Sequence, residues 1–105
     1  MKKTEELIIN TFLKLVEEKP LDKITIQDIA DQCGINRNTF YYHFEDIYSL
    51  IETIFKDHLN TIETMFEEGA SWDECSKVAV NFLIKNARAI RHIAFSMSRS
   101  QLDHY

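Results

Sequence analysis

The chain has one proline and two glycines, and no β-branched alternation runs beyond a few residues. That leaves little for a sheet and favours an all-α fold. The two cysteines, Cys33 and Cys75, stand far apart with no C-x-x-C or metal-ligand spacing, and they fit reduced thiols in a cytosolic protein. The four histidines, His43, His58, His92 and His104, contain no H-x-x-x-H pair, so no metal is expected. No nucleophile elbow, phosphate loop or paired-carboxylate motif occurs, so neither an enzymatic activity nor a cofactor is expected. Apolar runs fall short of the roughly 18 residues that a membrane helix needs. Lys2 and Lys3 lead into Glu5 and Glu6 rather than an apolar segment, so no signal peptide is expected. A basic excess is missing as well, since the formal charge is −5. Residues 1–44 carry six Lys or Arg against seven acids, and residues 45–105 carry six against ten. The acidity therefore sits mainly in the second half, and a nucleic-acid partner of the first half would meet few cations and show a shallow salt dependence.

What is present is apolar content, 45% of residues, enough for a modest single core in 105 residues. The apolar positions recur at helical spacing. Ile8, Phe12, Leu15 and Val16 make the stripe of a first helix from Thr4 to about Glu18, with Thr4 as its cap, Glu5 and Glu6 near its positive end, and Pro20 as its stop. The stretch Thr25–Phe44, TIQDIADQCGINRNTFYYHF, organises the rest. Thr25 followed by Asp28 is a capping-box pattern, and Ile24 and Ile29 form a hydrophobic staple around it. Ile26, Ile29, Ala30 and Cys33 give this helix a narrow apolar face, and Gly34 supplies a left-handed end. Two residues on, Asn36 caps a second helix, with Ile35 and Phe40 as its staple. Two capped helices about three residues apart, with Gly in the turn, predict a helix-turn-helix.

The second helix shows which side is used. At about 100° per residue, Phe40 and Phe44 fall on one side, Asn38, Thr39, Tyr42 and His43 on the other, and Arg37 and Tyr41 at the edge. Amide, hydroxyl, phenol and imidazole groups suit hydrogen bonds to base edges and phosphates, and Arg and Asn can grip guanine and adenine bidentately. Arg37 lies in the first turn, where such motifs place base-reading side chains. Thr25 and Gln27 start the preceding helix, where free N–H groups favour phosphate. For Thr25, capping and phosphate contact are compatible. For the Tyr41–Tyr42 pair, interhelical packing and DNA contact both stand open on periodicity alone.

With T-x-x-x-I-A followed by C-G-I-N-R-N-T-F-Y-Y-H-F, preceded by an apolar helix and followed by a Leu-rich one, the sequence resembles the DNA-binding domain of TetR-family transcriptional regulators over roughly Glu5–Leu59. The wording F-Y-Y-H-F-x-D-I-Y is closest to the branch that includes regulators of dihydroxyacetone-kinase operons. The resemblance implies a three-helix helix-turn-helix domain over residues 1–46. A long connecting helix and part of a helical ligand-binding and dimerisation domain then occupy residues 47–105. It implies double-stranded DNA as partner, a homodimer on a palindromic operator, a cytoplasmic location, no membrane, and a small-molecule effector in the C-terminal part. It also implies that the Tyr at position 41 touches phosphate. Ile47 departs from the pattern, because a phosphate-binding Lys commonly begins that helix. Asn38 replaces a frequent Gly and adds a base-contacting group.

Beyond the motif, a helix is expected from Ile47 to Glu67, with Leu50, Ile51, Ile54, Phe55, His58, Leu59, Ile62 and Phe66 as a broad apolar face. Ser71 caps the next, from Trp72 to about Asn86, with Val78, Ala79, Phe82 and Leu83 as its stripe. Ala87–Met97 continues after a bend, and the segment SRSQLDHY is expected to begin one more helix. Arg88, Arg91 and His92 form a small basic cluster expected on solvent. Family members devote a larger part to ligand binding than residues 45–105 can provide, so that region is expected to be partial or unusually small. Two other readings are open. One is a helical co-regulator that kept the fold but lost DNA binding, favoured by the acidic balance and Ile47. The other is a small-molecule carrier built on the helices after Ile47.

Overall fold

The structure, a computed structural model, describes the backbone of residues 2–104 and the side chains of residues 3–98. Among the described residues the regular elements are all helical. They are α1 (Lys2–Glu18), a 3₁₀ turn (Leu21–Lys23), α2 (Ile26–Cys33), α3 (Arg37–His43), α4 (Ile47–Glu67), α5 (Trp72–Lys85) and α6 (Ala87–His104). The all-α expectation holds.

Each break between helices has a local chemical cause. Pro20 follows α1 and has no N–H for the carbonyl four residues back. That carbonyl belongs to Val16, and His92 Nδ1 on α6 takes it at 2.5 Å. Thr25 Oγ1 accepts from the Asp28 N–H at 3.0 Å, while Asp28 Oδ2 accepts from the Thr25 N–H at 3.0 Å, closing the reciprocal box that opens α2. Gly34, at φ 73°, enters the left-handed region and ends α2. The Ile35 N–H then reaches back to the Ala30 carbonyl at 3.0 Å, as in a Schellman closure. Asn36 Oδ1 accepts from the Thr39 N–H at 2.9 Å and starts α3. Asp46 caps α4, and Ser71 with Glu74 closes a second capping box on α5.

The structure differs from expectation at both ends of the chain and at one histidine. α1 begins at Lys2, so Thr4 lies inside its first turns and is not its cap. The C-terminal segment does not start a new helix; its backbone continues α6 to His104. The side chain of His104 lies outside the described residues, as does that of Lys2. His92 is not a solvent group but the partner of Val16, while Arg88 and Arg91 are exposed as expected.

One apolar cluster joins α1 (Ile8, Phe12, Leu15, Val16), the 3₁₀ turn region (Leu21, Ile24), α2 (Ile29) and the α3 pair Phe40 and Phe44. The first two turns of α4 (Leu50, Ile51, Ile54) and Ala89 and Ile93 of α6 complete it. The core is thus continuous across position 46, and α6 packs on α1 rather than only on its sequence neighbour. Farther along α4 the expected face is covered unevenly. Phe55 and His58 meet Phe82 of α5, and the phenyl ring of Phe82 and the imidazole of His58 stack at 3.9 Å. Leu59 and Phe66 stay exposed, and so does Leu83. The reason is geometric: α5 packs on this part of α4 along a narrower stripe than the sequence provides.

Phe40 has no exposed surface, whereas Tyr42, two residues on, has 84%. Phe40→Ala should lower unfolding stability by about 3–5 kcal/mol, the usual cost of emptying a buried aromatic site. Tyr42→Ala should stay within about 0.5 kcal/mol. Urea denaturation followed by circular dichroism measures both, and equal losses would mean that the two faces of α3 are misassigned.

Candidate nucleic-acid interface

The helix pair α2–α3 holds the predicted site residues. α3 is only seven residues long, and it is anchored from one side by Phe40 and Phe44, whose centroids lie 5.8 Å apart. Fixing those rings in the core turns Asn38 and Tyr42 to solvent, and both are exposed, as is Arg37 at the edge in the first turn. Tyr41 is intermediate in character: its ring meets the edge of Phe40 at 5.8 Å, yet 46% of its surface is open. Packing and an available hydroxyl therefore coexist at that position, and Tyr42 is the more outward of the two tyrosines.

Three residues sit differently from the simple helical-wheel picture. Thr39 is half-buried, and its hydroxyl lies 3.2 Å from the Asn36 carboxamide oxygen that also takes its N–H, so it belongs to the cap as much as to the surface. His43 does not project outward. Only 13% of its side chain is exposed, and its Nδ1 lies 3.2 Å from Glu5 Oε2 of α1. Its ring also supports Tyr42 edge-on at 5.1 Å. Gln27 is exposed, but its Nε2 donates to Asp31 Oδ1 of the same helix at 2.7 Å. Thr25, also exposed, uses its oxygen lone pair for the cap and keeps the hydroxyl proton for another acceptor.

The charge around this surface is sparse. Arg37 is the one full cation on α3 itself. Lys19 is tied to Asp28 at 3.3 Å and buttresses the capping box from α1's end. Past α3, Glu45 and Asp46 are exposed, and the Asp46 carboxylate accepts from the Ser49 N–H at 2.7 Å. The start of α4 therefore carries its own anion where the resemblance leads one to expect a lysine at position 47. Glu5 and Asp46 are the residues that sequence reasoning missed. Asp46 was readable as a cap from its spacing to Ser49. Glu5 was not, because its contact with His43 spans 38 positions. Among the described residues no group of His, Cys, Asp and Glu is arranged to hold a metal ion.

The short second helix, seated by a glycine turn and exposing its polar side, defines a helix-turn-helix domain. Residues 8–54 match the family described as bacterial regulatory proteins, tetR family. YerO of Bacillus subtilis, described as an uncharacterized HTH-type transcriptional regulator, is 39% identical over 51 residues, which cover 49% of this chain and 18% of YerO. EthR of Mycobacterium tuberculosis, an HTH-type transcriptional regulator, is 32% identical over 73 residues, covering 66% of this chain and 34% of EthR. IcaR of Staphylococcus aureus, described as a negative transcriptional regulator of a biofilm operon, is 32% identical over 71 residues, covering 65% and 38%. The chain thus spans well under half the length of these relatives. None of the three descriptions mentions a dihydroxyacetone-kinase operon, and that narrower resemblance is not confirmed.

The capping box predicts a pH signature. The Asp28 carboxyl is held below its ordinary value of 3.8 chiefly by the Thr25 backbone N–H, then by Lys19. A depressed carboxyl pKa contributes stability that is complete above the unfolded-state value and disappears as the pH falls through the folded-state value. Asp28→Asn should therefore melt below the parent at neutral pH, with the gap closing once the pH drops under 3.8. Thermal melts at several pH values test this, and a gap that widens in acid would contradict the assignment.

Proposed function

We propose that this chain is the DNA-reading part of a transcriptional regulator of the TetR type. The observation that carries the reading is the division of α3: Phe40 and Phe44 are buried while Arg37, Asn38 and Tyr42 face solvent. In this reading α3 enters the major groove. Arg37 and Asn38 meet base edges, Tyr42 packs against sugar or base, and Tyr41 with Thr25 and Gln27 contacts phosphate. Thr39 adds its hydroxyl at the groove wall. His43, held by Glu5, orients Tyr42 and touches the duplex at its margin. The relatives' descriptions as transcriptional regulators support the same role. Two copies would place their reading helices about 34 Å apart on a palindromic operator. A small-molecule effector acting through the helices after Ile47, and a cytoplasmic setting without a membrane, complete the proposal. Among the described residues no helix is long and apolar enough to cross a membrane. Nothing in this mechanism requires a catalytic group or a cofactor.

A co-regulator that keeps the fold but no longer binds DNA is the second reading, favoured by Asp46 at the start of α4 and by the net charge of −5. The two separate in one experiment on a duplex from the promoter region of the chain's own operon. Arg37→Ala and Tyr42→Ala should each weaken binding roughly tenfold, the scale of a lost base contact. Parent affinity should fall with salt, with a shallow slope for so few cations. Binding unchanged in both variants would refute the assignment of the reading face. A duplex that is not bound at low salt would favour the co-regulator.

A further inference from the structure

Helix α5 is apolar over more of its circumference than the core covers. At about 100° per residue, Cys75, Val78 and Phe82 share one side. Cys75 is buried there, and Phe82 meets Phe55 and His58 of α4. Trp72, Val80, Leu83 and Ile84 fill the adjoining sector, yet each keeps half or more of its surface open. Exposed Glu74, Lys77, Asn81 and Lys85 occupy only a narrow strip behind it. A helix with so wide an apolar sector has more to cover than one neighbour supplies.

The open sector continues onto α4. Residues 68–71 alone join the two helices, and the contacts of Phe82 with Phe55 and His58 make them antiparallel. Seen from its own N-terminus, each helix carries its open residues clockwise from the line of contact, and in an antiparallel pair that is the same flank. Leu59 and Phe66, also half or more open, therefore extend the surface of α5. The six side chains together offer on the order of 800 Å², what each partner buries in a standard-size protein interface.

Charge along α5 selects the partner. Asp73 and Glu74 stand in its first turn and Lys85 in its last, with Arg88 just beyond. Lys85 and Arg88 make no ion pair among the described residues, and Asp73 has only an exposed pair with Lys77 of its own helix. A second α5 laid antiparallel on the first brings acidic end to basic end, whereas a parallel one sets like charges together.

We propose that this flank of the α4–α5 hairpin is the interface between two copies of the chain, their α5 helices antiparallel about a two-fold axis at Val80. Such an interface uses one patch twice and must be complementary to itself. The axis at Val80 meets that demand: Trp72 of one copy falls opposite the small Ala87 of the other, and Leu83 opposite Ser76. None of the six apolar residues belongs to α2 or α3. The association does not depend on DNA; only its use, bringing two α3 helices to one operator, rests on the function proposed above.

Sedimentation equilibrium of the full chain from roughly 1 to 100 μM tests the proposal, since interfaces of this size hold at micromolar concentration or below. The expected mass at the upper end is twice the 12.4 kDa of one chain. Leu83→Glu and Val80→Glu, at exposed positions, should keep the helical circular dichroism and associate at least roughly thirtyfold more weakly. Asn81→Glu adds the same charge on the polar strip and should associate as the parent does. A short bismaleimide linker should join Val80→Cys chains well above the background of the parent, which carries Cys33 and Cys75, and Asn81→Cys chains no more than that background. The linker comparison decides the matter if a glutamate variant loses its circular dichroism. A chain that stays monomeric at the highest concentration overturns the proposal and leaves the flank to a different protein. Parent-like association of the folded Leu83 and Val80 variants overturns it too, as does equal linkage at positions 80 and 81. No DNA is present, so failure here leaves the reading of α3 intact.

Discussion

Phe40 and Phe44 sit on one side of a helix too short to be stable by itself, and their burial against α1, α2 and α4 gives that helix a place and a direction. Each ring contributes a few kcal/mol of hydrophobic stabilisation, roughly 1.5–3. More important, the pair fixes the rotation of α3 about its axis. Once those two positions face inward, the 100° step leaves Asn38 and Tyr42 no direction but outward, while Arg37, at the edge of the apolar side, is exposed in the first turn. An exposed surface of polar groups with little charge is the by-product of where the phenylalanines go.

The turn between α2 and α3 serves the same end by local chemistry. Gly34 takes the left-handed conformation that ends α2, and Asn36 supplies the oxygen that starts α3 three residues later. Neither helix could be lengthened through this corner without losing a cap. The Thr25–Asp28 box secures the opposite end of α2, and Lys19 ties that box back to the end of α1. The geometry between the two helices is therefore specified by residues that sit outside the core and cost little packing.

Much of this was readable in advance. Thr25, Gly34, Asn36 and Ser71 act over three or four residues, and backbone geometry at that range is nearly the same in any protein, so spacing alone predicted their caps. The apolar stripe of α1 and the anchors of α3 followed from periodicity for the same reason. The helical wheel misplaced His43, because a wheel knows only its own helix and the Glu5 carboxylate comes from α1. It likewise left His92 on solvent, since the vacant carbonyl that attracts it lies 76 residues earlier. Along α4, Leu50, Ile51 and Ile54 are buried but Leu59 and Phe66 are not. An apolar stripe says which side can be covered and is silent on how far the neighbours extend.

Residue order by itself determined where α2, α3, α4 and α5 begin, which side of each is apolar, and the kind of groups that α3 exposes, because all of these depend on contacts within about one helical turn. Tertiary structure alone decided that α6 returns to close the core of α1. It also drew His43 inward to Glu5, turned His92 to the end left open by Pro20, and formed a cavity between the 3₁₀ turn, α4 and α6. Those outcomes depend on which distant surfaces meet, and no local spacing encodes such a meeting.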